Sequence, residues 1–238
     1  LNAKRSAILY PRDVNGQEFA TVLRERVREA TLELVNEGSY TPGSRESMAQ
    51  AVAAASTSKA EVIFVPDSLE NLLPIFEAVK SSSLSGAVLV GPALWDDPIA
   101  VRGFGQLLGA AYVTPFYSQS QRPAVSRFVS SYHSAFTKDP ELLAAQGYDA
   151  AQFVFKALVG SPESRETLIE RMRRADTFEG VTGQLTVQSN GELTRRMSVL
   201  RLANGEIVEV MSAGQVTGFL PRAVAVQGGT DADAAAGH

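Results

Sequence analysis

The chain has 238 residues, 45% hydrophobic and 20% charged, as in an ordinary soluble globular protein with one large or two small domains. A net charge of −4 and a pI near 5.3 argue against a nucleic-acid or anionic-membrane partner, since both want a basic face. There is no cysteine, which excludes disulfides, thiolate nucleophiles and cysteine-ligated zinc; of the two histidines His238 is the last residue, so a Ser-His-Asp triad or a histidine metal site would rest on His133 alone.

No apolar run is long enough to span a bilayer, and Leu1 to Arg5 leads into a strand with no leader, so the chain reads as cytosolic or as a mature or truncated form. Ser6–Tyr10 is a short apolar run closed by Pro11 and the turn residues Asp13, Asn15 and Gly16, the pattern of a buried strand. Phe19, Val22, Leu23, Val27 and Ala30 then recur on one helical face. Periodicity leaves the end of that helix undecided. A second strand over Thr31–Val35 is adopted because it restores the strand–helix–strand order of a parallel sheet. Tyr40–Gly43 reads as a turn, and Ser44 caps a helix with Met48, Ala51, Val52 and Ala55 inward.

Glu61–Val65 is the third strand, followed by a helix with Leu69, Leu72, Leu73, Phe76 and Val79 on one side. Ala87–Val90 is the fourth strand; Asp96 and Asp97 suit the N-terminus of a helix running to about Leu108, and Ala111–Thr114 is the fifth strand. This alternation predicts an α/β fold with a doubly wound parallel sheet. The stretch Ala110–Pro123 then leaves the sheet: Pro115 and Pro123 bracket polar residues unsuited to a packed element.

Three helical patterns follow with no strands between them. The first carries Val125, Phe128, Val129, Tyr132 and Phe136; the second opens at Asp139-Pro140 with Gly147, Ala151, Val154, Phe155 and Leu158 inward; the third is capped by Ser161-Pro162 and runs to about Ala175. Their apolar faces need something to bury them. From Thr177 the pattern becomes antiparallel β, with strands at Gly183–Val187, Met197–Leu202 and Glu206–Val210, turns at Asn190-Gly191 and Asn204-Gly205, and a polar tail after Ala225 expected to be disordered.

Five stretches in order together resemble the bilobed periplasmic ligand-binding proteins of the leucine-binding, type 1 family. They are AILYPRDVNGQEFATVLRER from Ala7, EVIFVPDSLENLLPIFEAVK from Glu61, VLVGPALWDDP from Val88, AAQGYDAAQFVFKAL from Ala144 and FEGVTGQLTVQSNGE from Phe178. The resemblance implies a lobe-two sheet over 1–117, helices of lobe one over 118–177, a return to lobe two over 178–226 and a tail over 227–238. It also implies that the first segment of lobe one is absent before Leu1, leaving a second, incomplete lobe.

What the resemblance implies for function is a non-enzymatic receptor of an ABC-type transporter, holding a small polar, possibly amino-acid-like ligand between its lobes, in the periplasm or anchored at the outer membrane. No cofactor or metal is implied. Positions facing the cleft would be Asn15, Pro66-Asp67-Ser68 and Ala93-Leu94-Trp95, with Tyr148 approaching the cleft or the hinge. Asp67 is read either as an ammonium partner or as a helix cap; Trp95 as a stacking surface or as packing; Tyr148 as a cleft residue or as a half-buried helix position. The family's ammonium-pairing acid falls at Ala93, and its first-loop aromatic at Asn15. Those departures leave room for a second expectation, an interaction module of a cell-envelope lipoprotein, similar to activators of penicillin-binding proteins. His133 and the run Arg24–Glu29 are read as solvated faces.

Overall fold

The computed structural model describes residues 3–30, 32–96, 109–162, 164–175, 177–203, 206–212 and 215–216. Strand β1 (Arg5–Pro11) leads to helix α1 (Val14–Glu29), β2 (Glu33–Tyr40), α2 (Arg45–Ala55), β3 (Val62–Phe64), α3 (Leu69–Lys80), β4 (Val88–Gly91) and β5 (Ala111–Thr114). These five strands are parallel in the order β2-β1-β3-β4-β5, the doubly wound arrangement expected from their alternation with helices. The expected helix from Asp97 to Leu108 and the tail lie outside the described residues.

Strand β2 is longer than its apolar pattern suggested. It runs five residues past Val35 to Tyr40, the first residue of the expected turn, and pairs along the length of β1. Asn36, Glu37 and Ser39 are tolerated because β2 is the edge strand, with one side open to water. Helix α2 matches its sequence closely: the Ser44 hydroxyl accepts from the Ser47 amide at 3.2 Å, and Met48, Ala51, Val52 and Ala55 are the buried residues. Helix α1 is turned from its expected face. Gly16, Ala20 and Val27 are buried while Phe19 and Val22 are exposed. The cause is close approach at its start, where a Cβ on Gly16 would fall 2.1 Å from the Pro11 carbonyl oxygen.

The second half departs from the sheet through α4 (Pro123–Phe136), α5 (Leu142–Leu158) and α6 (Arg165–Arg173). The cap of α6 is Ser164, whose hydroxyl accepts from the Thr167 amide at 3.2 Å, not Ser161 as the proline pattern implied. Strands β6 (Thr177–Gly180), β7 (Gly183–Val187) and β8 (Leu193–Arg195) form a separate three-stranded antiparallel sheet. The chain re-enters the large sheet with β9 (Ser198–Ala203), antiparallel to β5, then adds β10 (Glu206–Ser212) and β11 (Gln215–Val216) at that edge. β7 and β9 therefore belong to different sheets, although sequence pattern alone placed them in one run of hairpins.

Two cores result. The larger lies on one face of the sheet, beneath α2 and α3, with Leu9, Ile63, Leu72, Ile75, Leu89, Tyr112 and Leu200 among its members. The smaller joins Phe116, Val125, Phe128, Ala145 and Val181, drawn from the crossing, α4, α5 and the β6–β7 turn. Phe128 sits edge-on to Phe116 at 6.0 Å and tilted against Tyr148 at 4.7 Å.

Helix α5 differs most from expectation. The predicted inward residues Gly147, Ala151, Phe155 and Leu158 are exposed, and the buried positions are Ala145 and Asp149. A polar anchor sets this orientation. Asp149 Oδ1 accepts from the Val181 amide at 2.8 Å, while Oδ2 accepts from the Thr182 amide at 2.8 Å and its hydroxyl at 2.5 Å. Arg122 grips the same turn from the other side, donating to the Gly180 and Val181 carbonyls at 2.7 and 3.3 Å.

Candidate functional site

Parallel strands end on one edge of a sheet, so the loops after β1, β3, β4 and β5 gather there, and that edge is where open α/β sheets bind ligands. A cleft of about 1070 Å3 opens at this place. On the sheet side it is lined by Ala93, Asp96, Thr114 and the crossing residues Phe116–Gln119; Pro140–Leu143, at the start of α5, face them, and Glu206 and Ile207 of β10 complete it. The cleft thus lies between the two cores. Its size suits a small organic ligand.

Asp96 has a defined orientation. The Thr114 hydroxyl donates to its Oδ2 at 2.7 Å and the Tyr112 hydroxyl to its Oδ1 at 3.2 Å. Burial, and then the charge of Asp96, push the Tyr112 phenol up from its ordinary value, so it stays a proton donor. The Tyr117 hydroxyl donates to the Ile207 carbonyl at 3.0 Å, which lays the crossing segment down on β10. Phe116 and Tyr117 give the cleft an aromatic wall, and Thr114, Ser118 and Gln119 give it hydrogen-bonding groups.

The residues expected at a ligand are placed as follows. Asn15 is exposed in the first turn of α1, after the C-terminal end of β1. Asp67 and Ser68 follow β3 on the same edge. Asp67 Oδ2 accepts from the Tyr40 hydroxyl at 2.7 Å, and Oδ1 from the Ser68 amide at 2.6 Å. That arrangement ties the end of β2 to the end of β3; burial, then Asp67, hold the Tyr40 phenol well above its usual range. Ser68, not Asp67, is the cap residue of α3.

Trp95 is 1% exposed, its indole N–H donating to the Asp67 carbonyl at 2.7 Å. Its ring fills the space over Gly91, where a Cβ would come within 2.1 Å of it. Trp95 packs here and presents no face to solvent. Tyr148 is partly exposed on α5, stacked on Phe128 and so part of the smaller core's margin. The structure therefore joins Asp67, Ser68 and Trp95 into one cluster behind Ala93, and leaves Asn15 and Tyr148 apart from it.

None of these five is among the lining residues of the cleft, where Ala93 is the one position of those read as facing it. The lining residues that sequence reading passed over are those of the crossing, the start of α5 and the start of β10. One signal for them was available: FYSQSQ, between two prolines, is aromatic and polar without being a helix or strand. Asp96 was visible too, but as a helix-start charge. Among the described residues no group of histidines and carboxylates could hold a metal, and no helix is long and apolar enough to cross a membrane. His133 lies on an exposed face, 3.1 Å from Asp139 Oδ1, and Arg24 and Arg26 pair with Glu37 and Glu29.

Sequence comparison matches residues 1–206 to the periplasmic binding protein family profile. No curated protein sequence matches the chain. Among solved structures it is similar to a protein from Rhodospirillum rubrum described as a branched-chain amino acid ABC transporter, at 23% identity and a TM-score of 0.79, over 87% of this chain and 61% of that one. It is also similar to the branched-chain amino acid substrate-binding protein of Streptococcus pneumoniae in complex with isoleucine, at 18% identity and a TM-score of 0.60, over 87% and 61%. A third is a solute-binding protein of an ABC transporter from R. palustris in complex with benzoate, at 20% identity and a TM-score of 0.61, over 91% and 60%. These likenesses show the fold, and the chain spans about three-fifths of the length of those structures.

Proposed function

The chain belongs to the periplasmic binding protein family, and on that premise we propose that it is the solute-binding component of an ABC-type transporter, holding a small polar ligand in the cleft between its two cores. The observation that carries this reading is the cleft itself: about 1070 Å3, at the C-terminal edge of the parallel sheet, with an aromatic wall and a carboxylate of fixed orientation. The family is one of substrate-binding receptors, and a periplasmic location goes with it. The crossing residues, Asp96 and the start of α5 are the surfaces a ligand would touch. Asn15, Asp67, Ser68 and Tyr148 are retained as candidates at its margin, and Trp95 supports the loop that carries Ala93.

The test is thermal unfolding of the purified chain against a panel of amino acids, amines and aromatic carboxylates. A ligand at one hundred times its dissociation constant stabilises by about 2.7 kcal/mol, a readily measured rise in melting temperature. A panel that moves nothing overturns the reading. A second reading, an interaction module of the cell envelope, draws support from the bare apolar stripe towards the end of α5, where Phe155 is 60% and Val159 75% exposed. Capture of an envelope protein, lost on replacing Phe155 and Val159 by serine, would favour it over solute binding.

A further inference from the structure

The chain passes twice between the two cores, outward from β5 through residues 115–122 and back from β8 into β9. The passages lie side by side, because Thr114, at the end of β5, is paired with Ser198, at the start of β9. One side chain of β10 reaches both. Glu209 accepts from the Ser120 hydroxyl through Oε2 at 2.8 Å and from the Ser198 hydroxyl through Oε1 at 2.7 Å. Both serines are only 4% exposed, so water does not compete for them.

The backbone of β10 is irregular at this point. Glu209 pairs with Leu200 but Met211 with Val199, so one extra residue is inserted just after the glutamate. Such a bulge bends a strand and re-aims a neighbouring side chain. The same strand holds the outward passage a second time, through the bond from the Tyr117 hydroxyl to the Ile207 carbonyl. Tyr117 and Ile207 both line the cleft. What fastens the crossing to β10 therefore also fixes one wall of the cleft.

We propose that Glu209 is a hinge latch, a positioning residue that holds both passages in register and so sets the angle between the sheet and the helices α4 and α5. It touches no ligand. It acts through Ser120 and Ser198, each of which sits on a different passage, so that neither can swing without the other. The inference rests on the solute-binding reading only for its purpose, the setting of the cleft width; the latch itself is a property of the unliganded chain.

The absence of native cysteines makes a direct test simple. Ala53→Cys on α2 and Ala135→Cys on α4, both at exposed positions, take spin labels on opposite sides of the crossing. Interlabel distances are then measured by pulsed electron resonance on the full chain without ligand. The parent and Glu209→Gln, whose amide still bonds both hydroxyls, should give one narrow distribution; Glu209→Ala should give one at least twice as broad, with an unchanged circular dichroism spectrum. A Glu209→Ala distribution as narrow as the parent's overturns the proposal, and so does equal broadening in the glutamine variant. If Glu209→Ala does not fold, Ser120→Ala with Ser198→Ala in one chain takes its place, broadening supporting the latch and an unchanged width overturning it. Because no ligand is present, a failed latch leaves the solute-binding reading standing, and a panel of inert metabolites leaves the latch standing.

Discussion

Asp149 is the most consequential single residue outside the large core. It is 2% exposed and answers three donors of one turn, and a Cβ on Gly180 would stand 2.3 Å from its Oδ2. Asp149→Ala would leave two backbone amides and a hydroxyl unpaired out of water, at a cost of about 3 kcal/mol or more. Urea unfolding should show a loss of that order, and a loss below about 1 kcal/mol would contradict the anchoring role. Residues of this kind explain what the sequence did and did not disclose. The resemblance marks Tyr148-Asp149 as a pair but points to the tyrosine as the cleft residue, whereas the aspartate is the buried anchor. Trp95 drew notice as the only tryptophan, yet its burial depends on Gly91, two elements' worth of backbone geometry that no spacing rule encodes.

Elements with a single apolar face were legible in full. Helix α2 is one, because its buried residues are its apolar stripe and nothing else competes. Helix α5 was not, since an internal aspartate outweighs an apolar stripe when it satisfies three buried donors, and the stripe is left outside. Replacing Phe155 and Val159 by serine should thus leave the melting temperature nearly unchanged, as exposed substitutions cost within about 0.5 kcal/mol. A fall of several degrees in melting temperature would mean the stripe is covered.

The tie between α1 and β2 gives a pH-dependent prediction. Arg24 donates to Glu37 at 2.6 Å, and this hydrogen bond, opposed by partial burial, holds the Glu37 carboxyl below its ordinary range. A carboxyl whose folded value is depressed stabilises the fold above its unfolded value, and that contribution disappears as pH falls through the folded one. Glu37→Gln should therefore lower the melting temperature slightly at pH 7, less so in high salt, and match the parent in acid. A difference that persists at low pH would assign the effect to packing instead.

For the molecule as a whole, the alternating strand and helix pattern was sufficient for the parallel sheet and the place where the chain leaves it, though not for the order of its strands. A cleft was expected by resemblance, but most of its lining was not legible, because its walls come from three segments distant in sequence, residues 93–96, 114–119 and 140–143, joined by β10. Two cores of unequal size also predict unequal protection. Amides of β1, β3 and β4, inner strands paired on both sides within the large sheet, should exchange with solvent far more slowly than those of α5 and α6, where α6 has no buried residue. Exchange followed by mass spectrometry on peptides from each half would show this, and equal rates would mean the halves open together.

The pairing of β5 with β9 has a temporal side. β5 is complete once Thr114 has been made, but the strand that seals its open edge begins only at Ser198, after all three helices and the small sheet. Closing that edge joins residues far apart in sequence, and such long-range pairings form late in folding. Until then Ala111–Thr114 offers unpaired backbone to any passing strand, and β9 arrives to find its place either vacant or taken. The order of the chain thus makes its last large-sheet strands the arbiters of whether a newly made molecule matures or aggregates.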